Sequence, residues 1–178
     1  MSKIDQVKSL LTQIKNIQTE KIHMIEKALL EMNTSSQHGI AYMTESISLS
    51  ANPEDEHIII GTFQLMNIGT KPIHQPIILL KVKSEPEIRL SGKFTMEGKA
   101  SLSIHQWERI KAKDESPNEY WLKPLKISEI PPGERLVFND FQLRFPMQEK
   151  LSLTVEGFAY YKENPEGIRA FNSINIMI

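Results

Sequence analysis

A chain of 178 residues with 40% hydrophobic and 24% charged residues has the composition of a globular protein, and it is long enough for one domain with an appendage. The formal net charge of −1, from 21 basic and 22 acidic residues, argues against a dedicated nucleic-acid-binding protein, which normally carries a basic excess. Because there is no cysteine, disulfide scaffolds, thiolate metal sites and cysteine nucleophiles are excluded.

The N-terminal region interrupts each short apolar run with charged or polar residues. A signal peptide needs an unbroken apolar stretch, and a membrane-spanning helix needs about 18 or more apolar residues. The sequence contains neither pattern. We therefore expect no membrane insertion and a cytoplasmic location.

Residues 2–33 carry a helical pattern. Their apolar side chains recur at three- and four-residue steps, and neither glycine nor proline occurs before Gly39. Ser2 and Asp5 fit a capping box at the start of the helix, because the serine hydroxyl and the carboxylate can each accept a hydrogen bond from a free backbone amide. The first predicted domain is an amphipathic, coiled-coil helix over 1–36.

The apolar stripe of this helix is long and wide. About 30 residues make a helix of roughly 45 Å, more than a small β-sandwich can cover. Two neighbouring heptad seams lie side by side, which favours a bundle of three or more helices. We predict a homo-oligomer formed through residues 4–32; the alternative is that the helix packs across its own β domain. The residues predicted to mediate oligomerisation are Val7, Leu10, Leu11, Ile14, Ile17, Met24, Ile25 and Ala28.

From Tyr42 onward the apolar period changes to two, the period of a β-strand. About seven short strands separated by turns, with no second amphipathic helix, predict a mainly β fold with an immunoglobulin-like antiparallel β-sandwich over 41–178. Residues 93–127 fit this pattern least well and are interpreted as an extra hairpin or excursion. Asn164-Pro165-Glu166-Gly167 is typical of a hairpin turn. The main strands are predicted over 43–49, 57–67, 76–83, 135–145, 151–161 and 168–178.

Two turn motifs accompany these strands. In IIIGTFQLMNIGTKPIHQPIILLKV, Asn67 and Gly69 mark the turn between two strands, and in EIPPGERLVF, Pro132-Gly133 precedes a strand. Asn and Gly tolerate the left-handed backbone of tight turns. With the closing hairpin, these segments resemble bacterial and archaeal immunoglobulin-like modules of the cell-adhesion-related type over roughly 42–83 and 130–178. The resemblance implies that fold and a binding or structural role, and it carries no catalytic residues.

No residue pattern predicts catalysis, a cofactor or a metal. His57 follows the acidic run 54–56, but side chains adjacent in sequence diverge, so a solvated loop is the favoured interpretation. His105 and Glu108 have the spacing of a helical metal pair, without a second such pair. No GxSxG, GxGxxG or GxxxxGK motif occurs. We therefore predict a protein that is not an enzyme.

A run of basic residues with interleaved aromatic ones is found only around Trp107 to Trp121, in the excursion, and its rings are Trp107, Tyr120 and Trp121. Flat rings can stack on a carbohydrate or a peptide, while the favoured alternative is that both tryptophans anchor the excursion on the sandwich. The first functional hypothesis is an interaction or assembly protein that oligomerises through its helix and presents its sandwich to protein partners. The second is a carbohydrate- or peptide-binding module that uses these three rings.

Overall fold

The computed structural model describes residues 39–48, 55–85, 87–97, 106–111, 116–146 and 151–177. The chain divides into two units, residues 1–37 and 38–178, and every described residue belongs to the second. The predicted helix over 1–36 and its oligomerisation residues lie outside the described residues, so they stay predictions. The described part is mainly β, as predicted, and none of it forms a helix long and apolar enough to cross a membrane.

The described residues form thirteen strands in two larger sheets and one ribbon. The four-stranded sheet, sheet I, contains β1 (Gly39–Ser48), β2 (Glu56–Asn67), β5 (Leu90–Ser91) and β10 (Arg135–Pro146). The seven-stranded sheet, sheet II, contains β4 (Ile77–Glu85), β6 (Phe94–Met96), β7 (Trp107–Ile110), β8 (Glu119–Pro124), β11 (Ser152–Tyr161), β12 (Asn164–Arg169) and β13 (Ile174–Met177). The ribbon pairs β3 (Ile73–His74) with β9 (Glu129–Ile130).

Strand order differs from sequence order in both sheets. Sheet I runs β1-β2-β10-β5, and sheet II runs β12-β11-β4-β8-β7-β6, with β13 also paired to β11. All pairings are antiparallel except that of β6 with β7. The segment predicted as an excursion, 93–127, contributes β6, β7 and β8, which extend sheet II beyond β4.

The two larger sheets pack face to face around one hydrophobic core. In β2 and β11, buried side chains alternate with more exposed ones, so each strand turns one face inward. Phe63 of β2 lies against the backbone of Gly157 in β11, where an added Cβ would come within 2.6 Å of the ring. The ring centroids of Trp107 in β7 and Phe138 in β10 are 5.2 Å apart. These contacts across the interior make the arrangement sandwich-like.

A β-bulge in β10 directs two phenylalanines into the same core. Phe138 and Phe141 would face opposite sides of a regular strand, because they are three residues apart. The register with β2 shifts between them, and Asp140 adopts a φ of 58°. The extra residue brings both rings inward, where they stack with centroids 6.1 Å apart.

The closing segment differs from the sequence prediction. The strand predicted over 168–178 is divided into β12 and β13, and β12 already begins at Asn164, so the hairpin turn comes earlier than predicted, at 162–163. Gly167 has a φ of +79° and packs under the ring of Tyr160, which lets β12 bulge against β11 instead of turning. Pro165 is tolerated because β12 lies at one end of the sheet order.

Between β12 and β13 the chain crosses to the edge of sheet I. The backbone N–H of Phe171 donates to the carbonyl of Ala41 over 2.9 Å. The side chain of Asn172 accepts from the N–H of Met43 and donates to its carbonyl, both at 2.8 Å. The crossing therefore provides hydrogen-bond partners for backbone groups on the open edge of β1. This detour of the chain to sheet I explains why the final strand is divided into β12 and β13.

The two turn motifs meet at Asn67, whose side chain is fully buried. Its amide nitrogen donates to the carbonyls of Ile130 and Lys71, at 2.8 and 2.9 Å, and its amide oxygen accepts from the N–H of Gly69 at 2.9 Å. The carbonyl of Asn67 also accepts from the N–H of Gly133 at 2.9 Å. One asparagine therefore shapes its own turn and joins it to the turn before β10.

Candidate ligand-binding groove

The three aromatic residues predicted as a ligand surface do not share one face. Trp107 is only 5% exposed and Tyr120 only 3%, so both belong to the core. The Tyr120 hydroxyl accepts a hydrogen bond from the N–H of Leu90 at 3.0 Å. Trp121 faces the other side of sheet II, where its ring centroid lies 5.2 Å from that of Tyr160. Tyr120 and Trp121 are neighbours on β8, and successive side chains of a strand point to opposite faces of the sheet. The three rings therefore do not form one joint surface.

A groove of about 680 Å³ opens at the end of sheet II where β4 begins and β8 ends. We call it the end groove. Its apolar walls combine proline and aliphatic side chains from three segments of the chain. These residues are Pro76, Ile77, Ile110, Pro124, Leu125 and Ile127.

Three exposed lysines, Lys111, Lys123 and Lys126, line the same groove. None of them forms an ion pair with any residue in the part of the chain that the structure describes. In contrast, Lys81 and Lys83 on the same sheet each pair with a carboxylate, at 2.8 and 2.7 Å. The groove thus offers cationic groups that the described fold itself does not use.

Among the described residues that line the end groove, Glu97 is the acidic one. Its carboxylate accepts a hydrogen bond from the backbone N–H of Lys111 at 3.2 Å. Its own N–H donates to the carbonyl of Arg109 at 3.1 Å. The described residues of the lining include three lysines and one glutamate, so they carry two more positive than negative side chains. The groove therefore attracts negative charge.

Two smaller hollows continue the end groove. One, of about 170 Å³, shares Pro124, Lys126 and Ile127 with the groove. The next, of about 370 Å³, shares Trp107 and Val137 with the first hollow. The three hollows form a series, which suits an elongated ligand better than a compact one.

The rim of the end groove is held by a cluster around His74. The N–H of Gln75 donates to the carbonyl of Ser128 at 2.8 Å. The His74 ring lies with Nδ1 2.5 Å from Glu163 and Nε2 3.6 Å from Glu129. Burial by itself would raise the pKa of the Glu163 carboxyl, but hydrogen bonds from the backbone N–H and the ring of His74 outweigh it, so the pKa is lowered. These contacts join the segment before β4 to the segment before β9 and to the turn after β11.

An aromatic pair borders the other side of the groove. Trp121 pairs in register with Ile110, and Tyr160 pairs with Ile77, so the two rings continue the apolar walls along the outer face of sheet II. Beneath them Leu79 is 1% exposed although it lies outside the central core cluster. Trp121 therefore sits beside the groove, whereas Trp107 reaches the smaller hollows from within.

Metal-binding geometry does not appear in the part of the chain described. No three histidine, aspartate or glutamate side chains gather there in a way that could hold an ion. His57, which follows the acidic run 54–56 in sequence, is 4% exposed and packs edge-on against Phe145, with ring centroids 5.3 Å apart. Glu54 and His105 lie outside the described residues.

No family model matches the sequence, and no curated protein matches it. Among solved structures, a FixG-related protein from Vibrio parahaemolyticus is 12% identical, with a TM-score of 0.41 over 79% of this chain and 96% of that one. A Northeast Structural Genomics Consortium target is 10% identical, with a TM-score of 0.35 over 79% of this chain and 82% of that one. An inactive mutant of a GH20 exo-β-N-acetylglucosaminidase from Vibrio harveyi is 5% identical, with a TM-score of 0.33 over 79% of this chain and 17% of that one. Similarity at this level assigns neither a family nor an activity.

Sequence reasoning missed the end groove because its lining comes from segments far apart in the chain. A local signal was available in Lys123-Pro124-Leu125-Lys126-Ile127, where basic residues are interspersed with apolar ones at the end of β8 and just after it. Leu125 and Ile127 are 39% and 45% exposed. These two apolar side chains lie two residues apart beside other apolar lining residues, so together they form a local apolar patch, which is a candidate contact surface.

Proposed function

We propose that this protein is a non-enzymatic interaction module whose sandwich binds a segment of a partner in the end groove. The observation that carries the proposal is one groove that combines half-exposed Leu125 and Ile127 with lysines that form no ion pair with a described residue. A volume of 680 Å³ is within the range of ligand sites.

We also infer that the sandwich is an elaborated immunoglobulin-like one. In that fold, strands A, B, E and D form one sheet and C, F and G the other. If β1, β2, β4, β5, β10 and β11 are taken as strands A to F, sheet I has the order A-B-E-D. Strands β12 and β13 then take the place of G beside β11, with β4 on its other side as C. The strands β6 to β9 are an insertion between D and E.

Selection of peptides from an unbiased display library should yield sequences that bind the full chain through the end groove. We expect the variant Leu125→Asn/Ile127→Asn to weaken those peptides about tenfold, because it removes apolar contact area without changing charge. Fluorescence anisotropy of the selected peptides measures the effect.

The matched control is Ile68→Asn, which changes an isoleucine of similar exposure, 39%, outside the groove. It should bind the selected peptides as tightly as the unmodified chain. Selected peptides that bind Leu125→Asn/Ile127→Asn undiminished would exclude the groove as the binding surface.

We further propose that the N-terminal region assembles the protein into an oligomer, so that weak contacts of each sandwich add through avidity. The supporting observation is the pair of apolar heptad seams over residues 4–32. Multi-angle light scattering should give a multiple of the 20.5 kDa chain mass. The variant Leu10→Lys/Ile17→Lys should reduce it to the monomer, because it places charges in the seam.

The control for assembly is Thr12→Lys/Thr19→Lys, which adds the same charge at heptad positions facing away from the seam. It should leave the oligomer intact. A monomeric full chain, or an oligomer indifferent to Leu10→Lys/Ile17→Lys, would rule out assembly through this helix and leave the groove proposal untouched.

A further inference from the structure

We propose that the end groove is selective for an extended, acidic and partly apolar peptide segment of a partner protein. The inference rests on the proposed function and deepens it by naming the chemical class of the ligand. It follows from the charge of the lining, from the shape of the connected hollows and from the arrangement of apolar side chains between the lysines.

Charge complementarity is the first argument. Lys111 directly follows β7, Lys123 lies on β8 and Lys126 lies in the loop after β8, so two segments of the chain bring lysines to the groove. Carboxylates of a bound peptide would provide the partners that the described residues do not supply. The carboxylate of Glu97 accepts a hydrogen bond from a backbone N–H and offsets only one of the three lysine charges, so the described lining keeps a net positive charge.

Shape is the second argument. The end groove continues through two smaller hollows that share lining residues, and this series passes from the end of sheet II to Trp107 on β7 and Val137 on β10. An extended peptide presents alternate side chains about every 7 Å, so it can fill consecutive hollows along one line. A compact metabolite would occupy one hollow and leave the others open.

Apolar contact is the third argument, and it separates a peptide from a nucleic acid. Ile110, Leu125 and Ile127 alternate with the lysines, so a ligand must carry apolar groups between its negative charges. A sugar–phosphate backbone has no such groups. A site for single-stranded nucleic acid also commonly uses free aromatic faces for stacking, whereas the ring of Trp121 packs at a tilt against Tyr160 and its indole N–H donates to Glu119 at 3.2 Å.

The test compares short fluorescent peptides that differ only in charge. A peptide alternating Glu with Leu should bind the full chain, and one alternating Gln with Leu should bind about tenfold more weakly. The variant Lys123→Gln/Lys126→Gln should weaken the Glu–Leu peptide about tenfold and should leave the Gln–Leu peptide unchanged. Binding of the Glu–Leu peptide should also weaken as the salt concentration rises.

Lys71→Gln is the matched control, because Lys71 is an exposed lysine outside the groove without an ion pair to a described residue. It should bind the Glu–Leu peptide normally. Equal affinity for the two peptides, or displacement of the Glu–Leu peptide by polyuridylate or inorganic phosphate, would overturn selectivity for an acidic segment. In that case peptides that still depend on Leu125 and Ile127 would leave the proposed function standing. Loss of that dependence would defeat both proposals.

Discussion

Replacing Gly61 with alanine should lower the free energy of unfolding of the sandwich by about 3 kcal/mol. The ring of Phe141 lies directly over Gly61, and a Cβ at this position would overlap the ring, within 2.8 Å of Cε1. Phe141 is completely buried, so its ring cannot move aside into solvent. Urea denaturation followed by tryptophan fluorescence measures the loss, because both tryptophans of the chain lie in the sandwich.

A double-mutant cycle tests the cause of this loss. Phe141→Leu alone should lower the free energy of unfolding. When Gly61→Ala is added to the Phe141→Leu variant, it should lower the free energy of unfolding by about 2 kcal/mol less than it does in the unmodified chain. Gly133→Ala is the control for backbone strain without overlap, since Gly133 has a φ of +81° and open space around the position of a Cβ. It should cost about 1 kcal/mol. Additive effects of Gly61→Ala and Phe141→Leu would disprove the steric explanation.

Replacing Asn67 with alanine should destabilise the sandwich by about 3 kcal/mol. The side chain is fully buried and makes three hydrogen bonds, and its removal leaves the carbonyls of Lys71 and Ile130 and the N–H of Gly69 without that partner. The loss should appear in the same urea titration, and amide hydrogen exchange should become faster at Gly69 and Gly133 first, because these amides belong to the two turns that Asn67 joins.

Asn175→Ala provides the comparison for this second prediction. Asn175 is an exposed asparagine whose side chain bonds Ser173 and Thr154 at the surface. Its replacement should change the unfolding free energy by less than about 0.5 kcal/mol. If Asn67→Ala were equally mild, the buried hydrogen bonds of Asn67 would contribute no more than those at the surface, and its role in joining the two turns would be refuted.

Most long strands were predictable because their periodicity is local. In the runs that became β2, β10 and β11, burial follows the alternation of apolar residues seen in the sequence. The closing segment was misjudged because Pro165 and Gly167 are ordinary turn residues. Their place in an edge strand depends on the ring of Tyr160, which lies on the neighbouring strand.

The candidate site was less predictable than the fold. Trp107 and Tyr120 stood out by residue type, but burial in the core explains both of them. The lysines and aliphatic residues of the end groove carry no motif. They become a site only because the pairing of β4 with β8 places the start of β4 beside the end of β8, and because β7 pairs with β8 on its other side.

The sequence by itself determined that the described part of the chain is built from strands, where most of those strands lie and which of their faces are apolar. These properties depend on residues two to four positions apart, and such neighbours are visible in the printed chain. Only the tertiary structure decided that Asn67 joins two turns, that a bulge brings Phe138 and Phe141 to one side, and that the groove lysines converge. Each of these results depends on the register between strands distant in sequence, which one-dimensional periodicity does not contain.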